Sequence, residues 1–370
     1  MNESMRVLAI CTYPRESAAT RFRLEQYVAP LAEMGIQLEI RPFLTSKQFT
    51  ELYEGGSDLS KALKLLPSIG GRIRQIFSLS GFDLLLVQRE AMFFGPGIFE
   101  FLYRKLGKMR MVLDLDDATY VPYQSPNFGK AANYLKFFGK TDRLIERSET
   151  VICGNRYIAE YVEGNGKRTV IIPTISDPRK FSVHTNSNEI PVIGWIGTNS
   201  TYPFVKRLFP VISRLAEKHR FKLKIIGAGK RDSGLVAADT EFIEWDLARE
   251  NNDIQSFDLG LYPIFNEGSV DENWLMGKSG FKAIQYMAAG IPFVMSPVGV
   301  CADIGEDGKT HFNASTDEDW YNHLDTLLRS EDLRSRMGKS GHLYAIENFS
   351  LDTHAKKFAE VLFSAASGAN

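Results

Sequence analysis

Two lysines four residues apart, Lys278 and Lys282, stand at the apparent start of a helix in the stretch GKSGFKAIQYMAAGIPFVMSPVGV (277–300). Ser279 has the residue type of an N-cap. Gly290 reads as the residue just past the helix and Pro292 as its stop. Positive charge at a helix N-terminus opposes the macrodipole by about 0.3–1 kcal/mol per lysine. A bound anion reverses that sign, and helix N-termini are ready anion sites. The competing reading is two solvated lysines on a surface turn. A second stretch weakens it: in GWIGTNST, Gly197 lets a ligand approach the backbone, while Thr198, Asn199 and Ser200 offer hydroxyl, amide and N–H donors. Two phosphate-compatible helix starts, together with Gly280 between the lysines, suit a diphosphate.

A different chemistry gathers in LDLDDATY, where Asp114, Asp116 and Asp117 occupy four positions. Such carboxylates repel one another unless a cation or a shared proton lies close. Alternation puts Asp114 and Asp116 on one face of a strand and Asp117 at the start of a loop. Two other readings attach to these residues. One is the Asp-x-Asp metal site of sugar transferases with a single Rossmann-like domain. The other is the nucleophile of haloacid-dehalogenase-type phosphatases, which also needs a later acidic pair that FDLGLYPIF lacks at its end. Arg21 and Arg23 open the first helix, and arginine suits bidentate contact with phosphate. Salt bridges to Glu16 or Glu25 are their plain alternative.

The elements that must hold these residues follow from periodicity. RVLAICTYP (6–14), IQLEIRPF (36–43), FDLLLVQRE (82–90) and MRMVLDLDD (109–117) are short apolar runs, as expected of buried parallel strands. Phe22, Tyr27, Val28, Leu31 and Met34 recur at helical spacing up to Gly35, predicting one helix between the first two strands. The pattern restarts at IPVIGWIGTNS (190–200), FKLKIIGAG (221–229) and FDLGLYPIF (257–265). Strands alternating with helices make an α/β protein with two doubly wound parallel sheets. The predicted division is residues 1–173, a Pro/Ser/Asn-rich linker 174–189, a second domain 190–350, and a last helix 351–370 packing back toward the first domain. Ligands of such sheets bind at the carboxyl ends of strands, and here that means a cleft between two facing domains.

Composition narrows the setting. The chain has 370 residues, 44% hydrophobic and 24% charged, as in ordinary globular domains. Its formal net charge of −1 gives no reason to expect nucleic acid. Charge is divided unevenly: 23 Lys+Arg against 19 Asp+Glu in residues 1–173, and 21 against 26 in the remainder. Cys11, Cys153 and Cys301 lie far apart without metal-ligand spacing, which suggests a reducing compartment and no zinc. The start lacks the long apolar stretch of a signal peptide, and no window approaches a membrane span. A cytoplasmic protein is the expectation.

The order GWIGT, LKIIGAG, FDLGLYP and GKSGFKAIQYMAAGIPFVMSPVGV resembles the C-terminal half of a GT-B glycosyltransferase. The relatives would be the large retaining, metal-independent family (group 1, family 4-like) that includes bacterial polysaccharide and lipopolysaccharide transferases. TRFRLEQYVAPLAEMGIQLEIRPF and TVIIPTISDPRKF are similar to that family's first helix and the end of its N-terminal domain. The resemblance implies a nucleotide-diphosphate sugar held as substrate by the C-terminal domain, with no further cofactor. It also implies a glycan or lipid-linked acceptor on the N-terminal domain, in surface-glycan synthesis. The family's Glu-x7-Glu motif falls on Gly277 and Gln285, so both glutamates are missing. Gln285 retains the ability to bond a ribose hydroxyl, and Trp245 is placed near the base. The family's phosphate-binding arginine falls on Thr198. Lys278 and Lys282, with Gly197, Asn199, Ser279 and Gly280, are the residues left to hold the diphosphate, and Arg21 and Arg23 to hold phosphate or acceptor. Asp116 and Asp117 stand where the family often has His-Asp and would face the reacting sugar as the catalytic pair. A GT-B-fold binder without turnover is the alternative.

Residues 44–80 carry Lys47, Lys61, Lys64, Arg72 and Arg74 among apolar residues. A basic amphipathic helix there would suit peripheral contact with the anionic inner face of a membrane. A helix packed on its own domain is the alternative.

Overall fold

The computed structural model describes residues 4–53, 63–122, 136–182, 188–229, 236–266 and 271–368. Lys61 and part of the predicted linker lie outside them. The chain forms two compact units. The first is Met1–Thr174 with Gly268–Ser279 and Leu351–Asn370; the second is Ile175–Glu267 with Gly280–Ser350.

The first unit is built on six parallel strands, β1 (Met5–Cys11), β2 (Ile36–Pro42), β3 (Leu84–Gln88), β4 (Arg110–Leu115), β5 (Thr150–Cys153) and β6 (Thr169–Ile171), in the order β2-β1-β3-β4-β5-β6. Val7 to Cys11 and all of β3 are buried, the mark of strands covered on both faces. Leu8, Ile10, Leu85, Val87, Leu113 and Leu115 anchor one core cluster, each contributing about 1.5–3 kcal/mol by burial. Chain order reverses between β1 and β3, so the ends of these strands and their neighbours flank the crevice where such sheets take ligands.

The helix predicted after β1 is broken into α1 (Ala18–Arg23), a 3-10 turn (Glu25–Tyr27) and α2 (Val28–Glu33). Pro30 has no N–H to give to the preceding turn, so the helix restarts and takes the proline into its first turn. Phe22, Leu24, Tyr27 and Leu31 are buried all the same. Where a single helix is expected within 44–80, the described residues include separate helices α3 (Ser46–Tyr53) and α4 (Leu66–Ile76). Among the described residues, α5 (Ile98–Leu106), α6 (Lys140–Arg147) and α7 (Arg156–Gly164) also accompany the sheet.

The second sheet comprises β7 (Val192–Ile196), β8 (Lys222–Ile226), β9 (Asp239–Ile243), β10 (Leu259–Tyr262), β11 (Phe293–Met295) and β12 (Phe312–Asn313), parallel and ordered β12-β11-β10-β7-β8-β9. This is the Rossmann arrangement, with its switch point between β7 and β10. Helices α8 (Tyr202–Arg207) and α9 (Phe209–Ala216) connect β7 to β8, and α10 (Glu250–Gln255) follows β9. The short α11 (Glu272–Met276) belongs to the first unit, while α12 (Phe281–Ala289) opens the return of the chain to the second. Trp195 and Trp320, both buried, sit in the second unit's core; Trp320 lies on α13 (Asp317–Arg329). The long α14 (Glu331–Asn348) packs on α12.

The last helix, α15 (Leu351–Ser367), packs against α2, β3 and β4 of the first unit, where Phe358 meets Tyr27 edge-on at 5.0 Å between ring centres. The boundaries read from periodicity ran unbroken from 190 to 350. In the structure the stretch 268–279 clusters with the first unit instead.

Candidate active site

In the first unit the site begins where β3 ends. Arg89 follows Gln88 with φ 59°, a left-handed backbone uncommon for a residue with a side chain. Its N–H donates to the Asp114 carbonyl at 2.8 Å. This turn brings its guanidinium to the end of β4. There Nε donates to Asp116 Oδ1 at 2.5 Å, and Nη2 to Asp116 Oδ2 at 2.7 Å and Asp117 Oδ2 at 2.8 Å. Gln88 Nε2 adds a bond to Asp116 Oδ1 at 3.2 Å. Burial alone would push the Asp116 carboxyl up; Arg89 overcomes it and holds the group below the usual carboxylate range. Asp116 is thus an ionised carboxylate locked in one orientation. Arg89 was not singled out from the sequence, and nothing local in FDLLLVQRE marks it.

Asp114 has a different fate. It forms a bidentate ion pair with Arg23, whose Nε donates at 3.0 Å, and whose Nη1 donates to the Ile172 carbonyl at 2.5 Å. Both side chains are almost wholly buried. Arg23 therefore joins α1 to the sheet and is not presented to a phosphate or an acceptor, contrary to the sequence expectation. Arg21, two residues earlier and on roughly the opposite side of α1, is partly exposed and donates to the Glu16 carbonyl at 3.1 Å.

The Asp116–Asp117 loop also meets the segment 271–279. Asp271 caps α11 by accepting from the Asn273 N–H at 2.8 Å. Tyr157 donates its hydroxyl to Asn273 Oδ1 at 2.7 Å, and buried Asn155 donates from Nδ2 to the carbonyls of Gly277 (3.2 Å) and Lys278 (3.1 Å). A Cβ at Gly277 would lie 2.3 Å from the Ala118 methyl, so no side chain fits there. Lys278 Nζ rests 3.1 Å from the centre of the Trp274 ring, a cation–π contact. Burial lowers the Lys278 pKa to about 8; Asp117 and Asp116 raise it and Arg89 lowers it further. The structure therefore brings Lys278 together with Asp116 and Asp117.

Lys282 belongs to the second unit. Helix α12 starts at Phe281, and its cap position is taken by Gly280 in left-handed geometry (φ 66°) without a side-chain cap bond. Ser279 is not the N-cap. A Cβ at Gly280 would also lie 2.3 Å from Ile304 Cδ1. Lys282 is half-buried on the first turn, with Nζ 5.3 Å from the Tyr262 ring centre at the end of β10. At the C-terminus the sequence expectation holds: Gly290 ends the helix in left-handed geometry, its N–H donating to the Tyr286 and Met287 carbonyls.

At the end of β7, Gly197 lies under the backbone of the loop after β8. A Cβ at Gly227 (φ +83°) would stand 2.1 Å from the Gly197 carbonyl oxygen. Thr198, Asn199 and Ser200 are exposed, with the Thr198 and Ser200 hydroxyls 2.8 Å apart and the Thr198 N–H donating to Thr201 Oγ1 at 3.2 Å. The helix beyond, α8, has six residues, so its dipole contributes little here and the loop's own donors matter more.

One further cluster lies on this unit. The Trp245 indole N–H donates to Glu250 Oε2 at 2.6 Å, and Gln285 Nε2 donates to Glu250 Oε1 at 3.4 Å. Glu250 is 7% exposed and Gln285 4%, while Trp245 is partly exposed. Trp245 and Gln285 were both singled out as nucleoside contacts; the carboxylate joining them was not.

Comparison with known proteins follows the same division. Residues 190–330 match the model of a family described as glycosyl transferases group 1. No curated protein matches the chain. Among solved structures, sucrose-phosphate synthase from Thermosynechococcus elongatus is 13% identical with a TM-score of 0.68, over 99% of this chain and 100% of that one. HepE from Anabaena, in complex with UDP and glucose, is 13% identical with a TM-score of 0.65, over 97% and 100%. A glycosyltransferase from Rickettsia africae gives 13% and 0.65, over the full length of both. At these identities the likeness is one of fold: two Rossmann-like units in the GT-B pattern. With the family match it supports a group 1 glycosyltransferase.

Proposed function

We propose that this chain moves a sugar from a nucleotide-diphosphate donor to a glycan or lipid-linked acceptor, with retention and without a metal, in the making of a surface glycan. The observation that carries this is the family match over 190–330, the stretch that contains Gly197, Trp245, Lys282 and Gln285. Neighbours in fold are described with UDP, with UDP-glucose, and with UDP and GlcNAc, which supports a nucleotide-sugar donor.

In this reading Trp245 takes the base and Gln285 the ribose. The N–H and hydroxyl groups of 197–200, the turn at Ser279 and Gly280, and the ammonium groups of Lys278 and Lys282 take the diphosphate. Charge shifts toward that leaving group as the glycosidic bond breaks, and fixed cations aimed at it stabilise the transition state more than the ground state. The sugar left behind gains positive character at its anomeric carbon. Asp116, held ionised and immobile by Arg89, with Asp117 beside it, stabilises that charge or orients a sugar hydroxyl. Arg21 is the remaining N-terminal arginine for phosphate or acceptor.

The acceptor's setting has its own support. On α4 and just beyond it, Leu66, Ile73 and Phe77 are 57%, 49% and 85% exposed, alongside Lys64 and Arg74. Residues 63–77 contain no acidic residue. Among the described residues no helix is long and apolar enough to cross a membrane. An apolar face edged with cations fits the surface of an anionic bilayer carrying a lipid-linked acceptor.

Turnover is tested by release of free nucleoside diphosphate from UDP-, GDP- and ADP-sugars with lipid-linked acceptors, with and without EDTA. Release that survives EDTA is expected. Binding of a diphosphate with no release from any donor would favour the non-catalytic binder. Loss in EDTA with rescue by magnesium or manganese would remove the metal-free mechanism.

A further inference from the structure

The turn after β5 touches two parts of the site at once. The Gly154 N–H donates to the Leu115 carbonyl at 2.7 Å, and a Cβ on Gly154 would stand 2.9 Å from Asp116 Cα. The turn therefore lies flush against the backbone that presents Asp116 and Asp117. Asn155, the next residue, is buried with its whole amide engaged. Its Oδ1 accepts from the Ile158 N–H at 2.9 Å and caps α7. Its Nδ2 donates to the Gly277 carbonyl at 3.2 Å and to the Lys278 carbonyl at 3.1 Å, which uses both amide hydrogens. Those carbonyls lie just past the end of α11, where no later turn of that helix supplies an N–H. A helix of five residues cannot hold such a position by itself. All of these residues belong to the first unit.

We propose that Asn155 is a positioning residue: it pins the Lys278 peptide to the turn that packs on Asp116, and so fixes where a diphosphate is held relative to the carboxylates that face the reacting sugar. This rests on the nucleotide-sugar reading above. The Lys278 ammonium lies against Trp274, with Asp117, Asp116 and Arg89 as the charged groups around it. Lysine carries its charge on a flexible stem, so a fixed ammonium depends on where its backbone is tied. Ordering done in advance is not charged against binding. A cation already in place also stabilises a departing anion without rearranging as the bond breaks. Loss of the tether leaves the ammonium chemically intact but lets it drift from the indole ring into water. Asn155 acts in this way through Lys278, without itself touching the substrate.

Tryptophan fluorescence reads the contact between Lys278 and Trp274 without any ligand. The parent should show a step near pH 8, where Lys278 loses its proton, and Lys278→Met should lack it. Asn155→Ser keeps a capping oxygen for α7 but withdraws both amide donors. In that variant the step should move to about pH 9 or above, as the ammonium regains water. Calorimetry with UDP, GDP and ADP then follows whichever binds most tightly. Asn155→Ser should weaken it about tenfold at pH 7, and by no more than Lys278→Met does. In the Lys278→Met background the same substitution should change affinity by less than about twofold, because it acts through that lysine. A step that stays near pH 8 in Asn155→Ser overturns the proposal. So does an equal loss of affinity in both backgrounds, the mark of a general structural effect. If Asn155→Ser does not fold, Asn155→Thr keeps the capping oxygen, fills more of the vacated space and serves in its place. Diphosphate affinity unchanged in Lys278→Met removes the diphosphate reading of that lysine, whatever the fluorescence shows, and Asn155's role falls with it.

Discussion

Lys278 is the residue whose protonation should be visible in both stability and binding. Its folded-state pKa of about 8 lies below the ordinary lysine value of 10.5, because burial disfavours the ammonium. At about 1.36 kcal/mol per unit, this shift disfavours the charged form by roughly 3 kcal/mol. The cost is fully present below pH 8 and fades as pH rises toward 10.5. The contact with Trp274 offsets about 1 kcal/mol of it. Lys278→Met should therefore be more stable than the parent at pH 7 by about 2 kcal/mol without ligand, and the gap should close by pH 10. Donor binding should move the opposite way. A diphosphate needs the ammonium, so parent affinity should fall about tenfold between pH 7 and pH 9 as Lys278 loses its proton. Lys278→Met should bind 10- to 150-fold more weakly at pH 7 and show no such fall. Thermal melts across pH and calorimetry with UDP in buffers of different ionisation heat measure both, the latter reporting proton uptake near pH 8. Affinity that is flat from pH 7 to 9 in the parent and unchanged in Lys278→Met would refute the assignment.

Three further outcomes follow from the structure. Arg23→Met leaves Asp114 buried without its ion-pair partner, so it should destabilise the fold by about 3–5 kcal/mol. Asp116→Asn keeps shape and should instead lower turnover by tenfold or more with little change in donor affinity; denaturant melts and kcat against KM separate the two, and equal effects would merge their roles. If the face of α4 meets anionic lipid, co-sedimentation with phosphatidylserine vesicles should weaken with salt and drop in Phe77→Asp, whereas binding indifferent to both would leave that face as ordinary surface.

The central strands β1 and β3 were legible because each holds an uninterrupted apolar run, VLAIC and LLLV, buried on both faces; the partly exposed, polar β9 (DTEFI) was not. The ends of helices were less so. Ser279 has the residue type of a cap, but the turn at this point needs left-handed backbone, and Gly280 supplies it. Spacing showed a helix from Phe22 to Met34 but not the interruption imposed by Pro30. Gln285, in the middle of α12, came only from the family resemblance, whereas Asp116, Asp117, Lys278 and Trp245 could be picked out because they sit near strand or helix ends. Arg23 sits in such a place too, and only its pairing with Asp114, 91 positions away, reveals a structural role. Arg89 and Glu250 escaped for the converse reason. Each is an ordinary charged residue locally, and its meaning lies in what the fold sets against it.

The seat of α15 on the first unit bears on how the polypeptide matures during synthesis. The sheet surface that receives Phe358 is finished by about residue 174, but the helix that covers it, Leu351–Ser367, is made much later in the chain. At roughly 5–20 residues per second, Tyr27 and its neighbours wait about 10–40 s for their covering helix. During that interval the nascent first unit exposes an apolar face that a chaperone can hold or another chain can capture. A premature stop between the first unit and Leu351 makes the exposure permanent, so the harm done by such a truncation should appear first as aggregation of the N-terminal unit.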